Sequence, residues 1–358
     1  MILLGAQGSK RTRLLQAARA QQGLAPAQII EWRDWLARPA LLDAALAQPC
    51  RFKIEPPGDD PAAHLSLLQD GCRLQGRAPV RAPAHGELLA MDSWFAGFEA
   101  AMKRLAGQLA QLPQARVLNA PAEIILMTDK LACQRHLAGH GVAIPALLGR
   151  IEGYGHLQSL LRDHDLDRVY LKPRYGSSAS GVVAYRRNQA GRQQATTSAS
   201  MVRADGATRL FNVKRITRHE QPAEIAALVD ALATQELYAE QWLSKPRAGD
   251  AHYDLRVVAI AGQPMHRVAR MGTQMMTNLH LDNRRGDPST LLNAPDMAAL
   301  EAGTRQAAQA FPASAVTGYD LVVRRGAAHV LEANAFGDLL PGLLWQGLDT
   351  YEMQMRHA

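Results

Sequence analysis

The chain has few cysteines, few aromatic rings and no long apolar run. Its three cysteines, Cys50, Cys72 and Cys133, are odd in number, scattered, and free of any Cys-x-x-Cys spacing. That usage argues against a disulfide framework and for reduced thiols in a cytoplasmic setting. Aromatic residues make up 5% of the 358 positions, and no zinc-finger or RNP pattern accompanies them. The net charge of +7 is therefore read as suited to polyphosphate or carboxylate ligands rather than to nucleic acid. No stretch approaches the roughly 18 apolar residues of a membrane span. The first ten residues lack a charged leader and a long apolar core, so no signal peptide is expected.

What is present is ordinary globular material, 47% hydrophobic and 20% charged, in a length that suits two or three domains. Residues 2–4 read as a strand, Gly5 to Ser9 as a turn, residues 11–22 as a helix stopped by Gly23, and residues 28–31 as a second strand. This is the opening of an α/β layer. Gly5 and Gly8 lack the third glycine of a dinucleotide fingerprint, so the start is Rossmann-like without a nucleotide of its own. Residues 51–54 form a further short strand. The longest helix is expected over 92–112, capped by Asp92 or Ser93 and ended by Pro113. Three units follow from this pattern: 1–120, 121–236 and 237–358.

The chain is organised around residues 169–183. An apolar run ends at Lys172, Pro173 stops the ladder for want of an N–H, and Gly176, Ser177, Ser178 and Gly181 lead into a second strand over 182–185. Glycines allow several N–H groups to converge on an anion, and small side chains let it come close. The order differs from a Walker A loop, because the lysine comes first and the loop returns to a strand. Alone, this could equally be a surface hairpin. Lys130 falls in the first turn of a helix capped by Thr128 or Asp129. A cation is disfavoured there, and a nearby anion would explain it.

Residues 188–205 read as a loop or irregular hairpin, 211–216 as a strand, and 237–243 as a strand opening the last unit. Residues 254–260 and 264–271 form a hairpin carrying Arg256, Arg267 and Arg270, whose alternation makes one face cationic. Asp320 lies on a later strand, and Glu332 and Asn334, two residues apart, share a face of its neighbour. Three hard oxygen donors of this kind suit Mg²⁺, although two polar strands facing water would look the same.

In order, Asp129-Lys130, Lys172-Pro173, Gly176 to Gly181, Glu240-Gln241-Trp242-Leu243, Asp254-Leu255-Arg256, Gly318-Tyr319-Asp320 and Glu332-Ala333-Asn334 resemble the ATP-grasp superfamily. They are most similar to its glutathione-synthetase and ribosomal-protein-glutamate-ligase branches. The match covers residues 124–348. The resemblance implies an α/β (α+β) architecture with a Rossmann-like first domain and two lobes clamping ATP. It implies that Lys130 and Lys172 hold the α- and β-phosphates and that Gly176, Ser177, Ser178 and Gly181 close over the triphosphate. Glu240, Gln241, Trp242 and Leu243 would border the adenine, and Asp250 would hold the ribose. Asp320, Glu332 and Asn334 would bind two Mg²⁺ ions, with Mn²⁺ as a substitute, and Arg256 and Arg270 would face the γ-phosphate. Asn278, His280 and Arg284 would meet substrate, and residues 336–342 would border the acyl group.

The implied activity is an ATP-dependent ligase. It would join a small-molecule or peptide carboxylate to an amine or a thiol through an acyl phosphate, in a protein that could form a homodimer. A catalytically silent ATP-binding regulator and a small-molecule kinase are the other readings.

Overall fold

The computed structural model describes residues 1–176, 180–204, 206–273, 283–337 and 340–357. Among them no helix is long and apolar enough to cross a membrane. A parallel sheet in the order β2-β1-β3-β4 opens the chain, with β1 (Ile2–Gly5), β2 (Gln28–Glu31), β3 (Cys50–Ile54) and β4 (Ala115–Val117). All of β1 is buried, as expected of a strand covered on both faces. The helix Lys10–Gln21 follows it, and the Ser9 hydroxyl accepts from the Thr12 N–H at 3.1 Å. The long helix is Met91–Ala110, but neither expected residue caps it. Its cap position is Ala90 in the left-handed region at φ +46°, without a side-chain bond. Asp92 instead pairs with Arg77 at 2.6 Å.

The middle sheet has the order β5-β10-β6-β7-β8-β9, made of β5 (Leu147–Ile151), β6 (Arg168–Pro173), β7 (Val183–Arg187), β8 (Gln193–Ala204), β9 (Ala207–His219) and β10 (Leu237–Gln241). Every neighbouring pair is antiparallel. The expected break before residue 237 therefore falls inside a sheet, since β10 lies between β5 and β6. The stretch read as a loop or irregular hairpin over 188–205 is mostly β8, which pairs with β7 and, with a register shift, with β9. Its alanines, threonines and serines are weakly apolar because only one face needs burying. Helices Tyr154–Asp163 and Pro222–Ala233 cover that face, with Leu157, Leu161, Ile225 and Leu232 against Val169, Leu171, Val183 and Tyr185.

The last sheet runs β14-β13-β12-β15-β16, with β11 (Arg247–Ala248) on β12 (Ala251–Ile260), then β13 (Gln263–Gly272), β14 (Arg284–Gly286), β15 (Val316–Arg324) and β16 (Ala327–Asn334). Helix Ala294–Gln309 packs on it. So do helices Pro121–Thr128 and Lys130–Gly139, which the sequence assigns to the middle unit. Ile124, Met127, Cys133 and Leu137 join one core with Leu255, Leu321 and Val330. The middle lobe keeps a separate core, into which Leu88 reaches from outside and against which Met91 packs. Residues 86–88 lie along β9, with the Leu88 N–H on the Leu210 carbonyl at 2.8 Å and the Asn212 N–H on the Gly86 carbonyl at 2.7 Å.

Candidate functional site

One cleft lies between the middle sheet and the last sheet. Its walls include Lys130, Lys172, Glu240, Lys245, Asp254, Arg270, Asp320 and Glu332, with Tyr170 and Leu243. On the last sheet the charges come from register. Asp254 stands opposite Arg270, Arg256 opposite Asp320, and Asp320 opposite Glu332. Opposite signs face each other in the first two pairs, which is the favourable arrangement, whereas Asp320 and Glu332 are like charges side by side, offset by Arg256, Arg270 and Lys130. A bulge completes the row: Asp320 pairs with Glu332 but Leu321 with Val330, leaving Leu331 over. Bulges re-aim side chains, and this one brings Glu332 into the cleft while Val330 stays in the core.

The network is dense. Asp254, 2% exposed, accepts from Lys245 Nζ at 2.8 Å and from Arg270 Nε at 2.7 Å. Asp320 is held by Arg256 Nη2 at 2.9 Å and by Arg270 Nη2 at 3.0 Å. Burial disfavours ionising either carboxyl, but the facing cations outweigh it and keep both below the usual carboxylate range. Arg270, buried yet between two carboxylates, holds its proton more tightly than a free guanidinium.

Lys172 approaches from the middle sheet, and Lys130 from the helix packed on the last sheet. Asp129 caps helix Lys130–Gly139 by accepting from the Ala132 N–H at 3.1 Å, and Lys130 rests on the Glu332 carboxylate. The anion that a cation at this helix end requires is thus a side chain of the protein. Burial, with Lys172 nearby, pulls the Lys130 ammonium down to about 8. Lys172 Nζ lies 2.5 Å from Glu240 Oε1 and 3.5 Å from the Leu331 carbonyl of the opposite lobe. Glu240, 1% exposed, is pushed upward by burial against the pull of Lys172. Among the described residues its Oε2 has no hydrogen-bond partner, nor has the Trp242 indole N–H, whose ring packs on Tyr170 at 4.9 Å. Buried polar atoms are seldom left so.

No family model matches the sequence, and no curated protein matches it. Solved structures do. The D-cycloserine synthetase DcsG aligns with a TM-score of 0.57 at 14% identity, over 99% of this chain and 97% of that one. D-alanine–D-alanine ligase from Bacillus anthracis, complexed with ATP, aligns at 0.53 and 12% identity, over 99% and 94%. Biotin carboxylase from Campylobacter jejuni aligns at 0.57 and 13% identity, over 99% of this chain and 70% of that one. The chain has the ATP-grasp fold.

Within the ATP-grasp cleft, the expected residues fall into groups. Lys130, Lys172, Glu240, Gln241, Leu243, Arg270, Asp320 and Glu332 share its wall, and Arg256 touches it through Asp320. Asn334 lies one strand position beyond the wall, opposite Gly318. Gly176 (φ +118°) and Gly181 (φ +71°) bracket the loop in conformations that favour glycine, and a Cβ on Gly181 would come within 2.7 Å of Pro173. The Gln241 N–H is given to the Ala146 carbonyl at 2.8 Å.

Two expected residues are elsewhere. Asp250 is exposed, next to Gly249 in the turn between β11 and β12, and Arg284 is exposed on the edge strand β14 opposite Met271. Ser177, Ser178, Asn278 and His280, with Asp338 and Leu339 of the acyl stretch, lie outside the described residues. Lys245, Asp254 and Tyr170 line the cleft unforeseen. Period-two alternation with Arg256 was the signal available for Asp254. Lys245 sits in a spacer with no periodicity to read.

Proposed function

We propose that the chain is an ATP-dependent ligase that joins a carboxylate to an amine or thiol by way of an acyl phosphate, releasing ADP and phosphate. The observation that carries this reading is the shared cleft. Lys172 enters from the middle sheet, and two carboxylates and two arginines, with Lys130 from the helix packed beside them, from the last sheet, into one space.

Lys172 and Lys130 would hold the nucleotide's phosphates, each exchanging its present carboxylate partner for phosphate oxygens. Residues 176–181 would cover the triphosphate, and Glu240 Oε2 would accept from the purine's amino edge. A carboxylate is a poor acyl donor until phosphorylated, and Arg256 and Arg270 are placed to stabilise the phosphoryl group as it moves. Among the described residues no three His, Cys, Asp or Glu side chains converge as a metal group. The donor set is instead two carboxylates, Asp320 and Glu332, with the Asn334 amide one strand position away. That set fits Mg²⁺, which completes its shell with water and phosphate oxygens. Mg²⁺ held there would supply charge neutralisation between the β- and γ-phosphates. Closing the loop would exclude water, which would otherwise consume the activated acyl group. Asp250, outside the cleft, is given no role.

The test is phosphate release from ATP in a screen of amino acids and short peptides, singly and in pairs. Release that needs both a carboxylate and an amine supports the reading. Transfer to a hydroxyl without free phosphate would make the chain a kinase. Tight nucleotide binding without turnover in any mixture would make it a regulator.

A further inference from the structure

One segment holds more than the whole chain's net charge. Between Asp167 and Glu220 stand eleven lysines and arginines against three acids, whereas the chain sums to +7. This segment contains β6 to β9. Helices cover one face of that sheet, and register places Arg168, Lys172, Arg186 and Arg218 on the other. Arg168 lies opposite Arg186, Tyr170 opposite Ala184, Ala184 opposite Thr196, and Thr196 opposite Arg218. Tyr170 and Lys172 of this face form part of the cleft wall. Further along the same strands, Arg168 and Arg186 are exposed and, with Arg192 and Gln194, line a surface groove.

Like charges directly opposite on adjacent strands repel, and neither arginine has an ion pair among the described residues. Arg218 reaches Glu220 only at 3.8 Å. The β9 edge adds two more cations. Thr217 pairs with Thr197 and Asn212 with Ala199, so residues 213–216 bulge against Ser198 alone. That bulge presents Lys214 and Arg215, both exposed. An uncompensated cationic face that continues into a cleft is an electrostatic landing surface.

We infer that this face docks an acidic polypeptide segment and so brings the reacting group of a peptide or protein substrate to the adjoining cleft. Delivery rests on the ligase reading; docking does not. Charge complementarity calls for an acidic partner, and the groove's lining, with Arg168, Arg186, Arg187 and Arg192 against Asp167 and Glu220, offers no aromatic ring on which a base could stack, which favours a polypeptide over a nucleic acid.

The experiment uses the full chain and a fluorescein-labelled peptide of alternating aspartate and serine, read by anisotropy at two salt concentrations. A single-stranded RNA of equal charge serves as competitor. The wild type should bind the peptide, and the double variant Arg168→Glu/Arg186→Glu should bind it about tenfold or more weakly with a shallower salt dependence. Arg168→Gln/Arg186→Gln should fall between, and ATP affinity should be unchanged in both variants. Docking is overturned if the wild type does not bind the peptide, if the reversed variant binds as well as the wild type, or if the RNA displaces the peptide and binds more tightly. ATP turnover, measured separately, reports on the ligase reading: its absence alongside charge-dependent peptide binding would remove the activity and keep the docking face.

Discussion

Two buried ionic clusters in this molecule are built from the same kinds of side chain and face different things. In the first domain, Glu55 (2% exposed) accepts from the Tyr351 hydroxyl at 3.0 Å, and its other oxygen takes Arg11 at 3.2 Å, with Lys53 at 3.4 Å. Even its backbone carbonyl is used, by the Trp32 indole at 2.8 Å. In the cleft, Asp254, Asp320 and Glu332 are just as charged and just as paired, yet Glu240 and Trp242 beside them keep unmatched polar atoms. Burial and charge alone therefore do not mark a site. The distinguishing feature is a wall that opens onto space, since unmatched buried atoms also occur away from the cleft, at Trp94, His266 and Gln354.

The comparison breaks most directly at the cleft carboxylates. Glu332→Gln and Asp320→Asn should each lower ATP turnover by on the order of a thousandfold, with the melting temperature within a few degrees of wild type. Normal turnover in either would put the cleft in the same category as the first-domain cluster. Glu55→Ala should do the opposite. With Lys53 and Arg11 left uncompensated, denaturant unfolding should show a loss of about 3–5 kcal/mol, while ATP affinity of the folded protein holds. Lys172→Ala should weaken ATP binding by about 2 kcal/mol, roughly thirtyfold by calorimetry, since Glu240 is then buried without its cation.

A smaller effect is a matter of pH. Burial, only partly offset by Glu55, holds the Lys53 ammonium below the ordinary lysine value of 10.5. The unfolded chain then binds the proton more tightly, so its penalty is full at neutral pH and relieved as pH rises toward that value. Stability should climb over this window, and Lys53→Met should flatten the climb. Least of all, Asp250→Ala should change stability by no more than about 0.5 kcal/mol and leave ATP affinity alone. A clear loss of affinity would return Asp250 to the nucleotide.

Much of the cleft was legible because its residues sit on strands, where alternation fixes the face. Alternation set Arg256 beside Asp254 and Glu332 beside Asn334, and the resemblance was needed to bring Asp320 and Lys172 together with them. The bulge at Leu331 was not legible, since only strand pairing reveals an extra residue. The lobe boundaries were misplaced for a related reason: β10 looks like the start of something new, and its partners β5 and β6 precede it by many residues. Helices Pro121–Thr128 and Lys130–Gly139 carry no mark of which sheet they cover. Lys245 was hidden because its contact, Asp254, lies across an irregular spacer.

The strap at residues 86–88 has a mechanical consequence. The two covalent junctions of the middle lobe lie side by side, joined by the bond from the Gln241 N–H to the Ala146 carbonyl at 2.8 Å, at the β5 side of its sheet. The strap fastens the far side, β9, where Glu87 grips Arg209 through two bonds of 2.8 and 2.9 Å. A panel pinned along both margins does not swing like a door. Any pitching about the line joining these fastenings would have to break the ion pair of Arg174 with Asp129 and part the stack of Tyr175 on Phe95 at 4.3 Å.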